Sequence, residues 1–153
     1  MNTDSGFPLW FPFAFVFGWL LISTLMAFAS GWRQLAAKYR ANGTTIGCTF
    51  YFQSAAFGDS WLPVSYRNCL TFAVGAKGFF VEPMLIFRFL CPRLFIPWHA
   101  VETIEVAAYW FLPSFRLKLV GSCVTIWFFG HVATAMLEAW TASRSSLETQ
   151  KVS

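Results

Sequence analysis

The chain has 153 residues, of which 57% are hydrophobic, 20% aromatic and 12% charged, with a formal net charge of +4. Once about thirty residues are set aside for an apolar anchor, about 120 remain, enough for one ordinary domain. The basic residues are scattered and form no run, which argues against a nucleic-acid partner.

The run from Phe7 to Ala29 carries no charged side chain. A helix of roughly 20 apolar residues spans the bilayer hydrocarbon, so residues 1–30 read as an N-terminal transmembrane anchor. Pro8 and Pro12 suit the first turns of a helix, and Trp10 and Trp32 lie near the two ends, where aromatic belts form. A cleaved leader would want a basic residue ahead of the run, where only Asp4 stands, although Ala27 and Ala29 make an A-x-A arrangement before Ser30. A buried core helix is the other alternative.

Arg33, Lys38 and Arg40 follow the run closely, with no Lys or Arg before it. They act as topology determinants, placing the N-terminus outside and the rest in the cytoplasm. From Gly31 onward all 11 Lys and Arg face 6 of the 7 acids, an excess compatible with a surface lying against anionic lipid.

Residues 31–43 read as a juxtamembrane helix with Leu35, Ala36 and Tyr39 on one side, ended by Asn42-Gly43. Eight strand signals follow, over 48–54, 61–66, 69–75, 78–85, 93–98, 101–110, 115–121 and 123–129. Turns are expected at Gly58-Asp59, Arg67-Asn68, Gly75 to Gly78 and Gly121-Ser122. Alternation places Phe115, Leu117 and Leu119 on one face against Arg116 and Lys118, and Ile104 and Val106 against Glu105. Residues 131–140 read as an amphipathic helix with Val132, Ala135, Met136, Ala139 and Trp140 on its apolar stripe. From Thr141 the tail lacks an apolar period, so residues 142–153 are expected to be flexible.

Many short antiparallel strands closed by one helix make residues 44–141 a half-open barrel or sandwich, an order that resembles the pleckstrin-homology (PH) superfold and its GRAM and bacterial PH-like domains. The words SGWRQLAAKYR, YRNCLTFAV, GFFVEPMLIFRF and RLFIPWHAVETIEV are also similar to those of a family of small bacterial membrane proteins with no established activity. The chain departs from that family's Gly- and Pro-rich loop, showing Phe89-Leu90-Cys91-Pro92 instead.

No catalytic, cofactor-binding or metal set assembles. His99 and His131 lack ligand partners at metal spacing, Glu102 and Glu105 are three apart in a strand, and Gly75 and Gly78 belong to a hairpin rather than a phosphate loop. Cys48, Cys69, Cys91 and Cys123 never stand as C-x-x-C, and in a cytoplasmic domain they are expected to be buried and reduced; secretion would instead permit two disulfides. Two apolar loops stand out as contacts for lipid or other integral membrane proteins. In the first, Phe87, Phe89 and Leu90 would enter the acyl boundary while Arg88 and Arg93 meet anionic lipid headgroups. The second carries Trp110, Phe111 and Leu112. The expectation is a non-enzymatic, bilayer-proximal binding or scaffolding module, or else an accessory subunit of a membrane complex.

Overall fold

A computed structural model describes residues 8–43, 47–58 and 63–152. The expected turn at Asp59 and the first two residues of the 61–66 strand lie outside the described residues.

The uncharged run forms helix α1 (Phe11–Ala29) with a proline in its first turn. At 1.5 Å per residue its 19 residues reach roughly 28 Å, close to the bilayer hydrocarbon thickness. Only Ser23 and Ala27 are buried, so this is an exposed apolar helix and not the buried core helix weighed above. Gly31 then turns the chain sharply, at φ 69°, into α2 (Trp32–Tyr39). A Cβ at Gly31 would come within 2.6 Å of Val124 Cγ2, so both backbone and space require glycine there. The stripe Trp32, Leu35 and Tyr39 is buried. The helix ends at Tyr39, earlier than Asn42-Gly43 suggests, because Arg40 is extended and bridges Leu94 at the sheet edge.

Seven strands follow: β1 (Cys48–Gly58), β2 (Val64–Gly75), β3 (Gly78–Pro83), β4 (Leu94–Pro97), β5 (Val101–Tyr109), β6 (Leu112–Leu119) and β7 (Thr125–Phe128). They form one antiparallel half-barrel sheet in the order β4-β3-β2-β1-β7-β6-β5, so two meanders meet where β1 pairs with β7. A single 3-10 turn, Trp98–Ala100, joins them. The count is seven and not eight because Arg67-Asn68 is no turn. Asn68, at φ 51°, sits in a register irregularity of β2, where its N–H donates to Ser54 Oγ at 3.0 Å, and the two expected strands run on as one.

Phe57, Leu70, Phe72, Phe79, Ile96, Leu117, Ile126 and Phe128 fill the concave face. Their rings meet edge to face, Phe72 on Phe128 and Phe79 on Phe128. Helix α3 (His131–Val152) adds Val132, Ala133 and Met136 to this core. It continues well past Thr141 instead of loosening into a tail: Thr141, Ser143 and Ser146 hydroxyls each donate to a carbonyl three or four residues back, and so stay inside the helix. Val106 shares the register of Phe115 but is 76% exposed, because on the edge strand β5 the core reaches Val101 and Ile104 and stops short of Val106.

Candidate functional site

The β3–β4 connection, residues 84–93, lies where α1 meets the domain. Its backbone is compact: Phe87 N–H donates to Met84 O at 2.8 Å, Leu90 N–H to Phe87 O at 3.1 Å and Cys91 N–H to Phe87 O at 2.9 Å. Met84 N–H reaches Cys69 O at 2.8 Å, which roots the loop on β2. These bonds sort the side chains. Leu90 turns inward onto the core and Phe87 is half-buried, whereas Met84, Leu85, Ile86 and Phe89 point out, Phe89 being 87% exposed. Of the residues expected to contact lipid, Leu90 is therefore a core-facing residue, while Leu85 and Ile86 are additional outward ones.

Phe87 packs on α1. Its ring centroid is 6.2 Å from that of Trp19. Trp19 stands ten residues before Ala29, so roughly 15 Å of helix separate it from the end of α1. A cavity of about 140 Å³ beside this contact is lined by Ser23, Met26, Tyr66, Phe87, Leu90 and Cys91, among others. The domain thus lies against the last three turns of α1 on one side, while Ile22, Leu25 and Phe28 stay exposed on the others. The exposed apolar surfaces of α1 and of the loop adjoin.

Beneath this contact the joint is polar and aromatic. Tyr66 donates to Ser30 Oγ at 3.1 Å, and Trp32 lies 4.9 Å from Phe57 and 5.7 Å from Tyr66 while its indole N–H donates to Pro92 O at 3.0 Å. Burial pushes the Tyr66 phenol upward, and burial likewise raises the Cys69 and Cys91 thiols. All four cysteines are free thiols, but only Cys91 is buried; Cys69 is half-buried, and Cys48 and Cys123 are exposed, contrary to the expectation that all four are buried.

The charged residues of the loop meet at Glu82, on β3. Arg93 Nε and Nη2 donate to Glu82 Oε2 at 3.0 and 2.6 Å, and Arg93 Nη1 reaches the Gly43 carbonyl. Arg88 pairs with the other Glu82 oxygen. Arg93 is therefore a framing residue with its donors engaged. These side chains line an open cleft of about 520 Å³ with Arg40, Ala41, Asn42, Gly43 and Pro92.

The comparison with known proteins adds no relative. The chain matches no known protein family, no curated protein and no solved structure. Its reading rests on its own geometry.

The remaining residues singled out above lie elsewhere. Arg33 sits 4.6 Å over the Phe28 ring, at the corner after α1, and Lys38 Nζ donates to Val120 O at 3.3 Å. Trp110 and Phe111 form the two-residue tip between β5 and β6, 81% and 95% exposed, with Trp110 at φ 57°, a conformation that favours glycine. Tyr109 and Leu112 at the base of this tip line a second cavity with Ser65 and Arg67, the same β2 residues that line the cavity beside Phe87 and Leu90. Among the described residues no three His, Cys, Asp or Glu side chains converge as a metal set. Sequence reasoning missed Trp19 and Glu82. The glutamate in GFFVEP, flanked by apolar residues and followed by two arginines, is the signal that points to it.

Proposed function

We propose that the protein is a single-pass, membrane-anchored, non-enzymatic binding or scaffolding module whose β domain rests against the bilayer. The observation that carries this reading is the Trp19–Phe87 contact. If α1 crosses the membrane, a partner roughly 15 Å up its length lies at bilayer depth, and the outward side chains Leu85, Ile86 and Phe89 enter lipid with it. Each apolar side chain so covered contributes about 1.5–3 kcal/mol, which favours docking of the domain on the membrane.

The orientation follows Arg33, Lys38 and Arg40, giving an outside N-terminus and a cytoplasmic domain at a bacterial inner membrane. Two meanders joined by β1 and β7 and followed by a helix support the PH-like reading of the barrel. The accessory-subunit reading is favoured by the Trp110-Phe111 tip, whose two exposed rings would suit a protein partner.

The test uses the full chain with Cys48→Ser and Cys123→Ser, labelled at Phe89→Cys with an environment-sensitive fluorophore, in phosphatidylcholine nanodiscs. Quenching by doxyl groups placed along the acyl chains is expected. Emission typical of water, unquenched at every depth, would remove the bilayer-proximal reading.

A further inference from the structure

The cleft at Glu82 has a charge composition that its internal bonds do not balance. Three arginines, Arg40, Arg88 and Arg93, and one carboxylate, Glu82, line it, which leaves a formal excess of two positive charges. Glu82 spends its two oxygens on Arg88 and Arg93. Arg93 is held at all three of its nitrogens, and its guanidinium also lies 5.7 Å from the Phe80 ring centroid, so it frames the cleft wall. Arg88 engages Glu82 through Nη2, which leaves Nη1 and Nε free to turn outward, and half of its side chain is exposed. Arg40 is exposed and its guanidinium has no partner among the described residues. The cleft volume lies within the roughly 300–1,000 Å³ of small-molecule sites.

Its location specifies the ligand further. Arg88 is flanked in sequence by Phe87, which packs on α1, and by Phe89, which points outward. The side chain runs back from that apolar level to Glu82, as a snorkelling arginine does at a membrane surface. A phosphodiester held between Arg40 and Arg88 would therefore have acyl chains running along the loop's apolar tip. Guanidinium pairs suit phosphate because their planar donors bond two oxygens at once.

We propose that this cleft binds the phosphodiester of an anionic lipid headgroup, with Arg40 and Arg88 as its donors and with Glu82 and Arg93 as the frame that holds Arg88 in place. The assignment rests on the bilayer-proximal reading above and adds a ligand to it.

The experiment measures lipid retained by the detergent-purified full chain, by native mass spectrometry, after equilibration with equal amounts of phosphatidylglycerol and phosphatidylcholine. Retention of phosphatidylglycerol in excess is expected, falling about tenfold in the Arg40→Gln, Arg88→Gln double variant. A Lys77→Gln, Arg144→Gln double variant removes the same charge away from the cleft and should keep the wild-type selectivity. Equal loss in both variants would reduce the effect to net charge and overturn the site. Displacement of the lipid by millimolar inorganic phosphate would overturn the lipid assignment in favour of a free anion. The Phe89→Cys label separates this failure from that of the underlying reading: a quenched label with no loss of selectivity overturns the cleft alone, and an unquenched label overturns both.

Discussion

Trp32 joins both helices to the sheet, and its replacement tests how the joint is held. The side chain is fully buried against Phe57 and Tyr66, and its indole N–H bonds the half-buried Pro92 carbonyl. Truncating a buried aromatic to alanine costs about 3–5 kcal/mol, because transfer free energy and a residual cavity add. Phenylalanine keeps one six-membered ring but loses the donor and part of the indole volume, and the carbonyl left without its partner alone costs about 1–3 kcal/mol. In a chain of this length each kcal/mol moves the midpoint by roughly 2–4 °C. The Trp32→Phe variant should thus melt about 2–12 °C below wild type and Trp32→Ala about 6–20 °C below, followed by near-ultraviolet circular dichroism in one detergent. Because Pro92 is at the foot of the β3–β4 connection, Trp32→Phe should also speed amide exchange in residues 84–91. Equal melting of the two variants would refute the ring contribution, and an alanine variant melting with wild type would refute the whole account.

Three further outcomes are expected. Gly31→Ala should lower the melting temperature through a left-handed backbone cost of about 1–2 kcal/mol and the close approach to Val124, and adding Val124→Ala should recover only the steric part; a neutral Gly31→Ala would contradict the geometry. Burial raises the Cys69 and Cys91 thiols above their ordinary 9.0, so the folded state favours their protonated form. Stability from this source is complete below the unfolded thiol value and falls as pH rises beyond it, so melting temperature should decline above about pH 9, and less steeply in Cys69→Ala. Moving the charges of Arg33, Lys38 and Arg40 to the N-terminal side should invert the orientation, read by impermeant thiol labelling of a cysteine placed in 142–153; an unchanged labelling side would remove the charge argument.

What the sequence disclosed depended on the range of the interaction responsible. The α1 helix, the α2 and α3 stripes and the turn at Gly75 to Gly78 were legible because periodicity and turn chemistry are local. The Arg67-Asn68 pair misled because asparagine tolerates the left-handed region both in turns and in bulges, and only the partner strand, through Ser54, decides between them. Helix α3 outran its apolar stripe because its hydroxyls bond back into the helix and do not compete with it. At the site, the apolar character of residues 84–90 was visible, but the inward turn of Leu90, the Trp19 contact and the pairing of Arg93 with Glu82 were not. Each depends on partners distant in sequence or on loop geometry that no pattern encodes.

The backbone bridge between Arg40 and Leu94 bears on crowding. An open sheet has two outer strands, and each offers unpaired N–H and C=O groups to any copy of the chain that drifts alongside. At one margin β4 is only four residues long, and the segment after α2 lies across its start, with Ala41 N–H bonded to Arg93 O at 3.1 Å. At the other, β5 carries the exposed Glu102 and an early register irregularity, and both disfavour the addition of a further strand. A chain at high local concentration meets its own copies often, and this one closes one margin with its own backbone and places acid on the other.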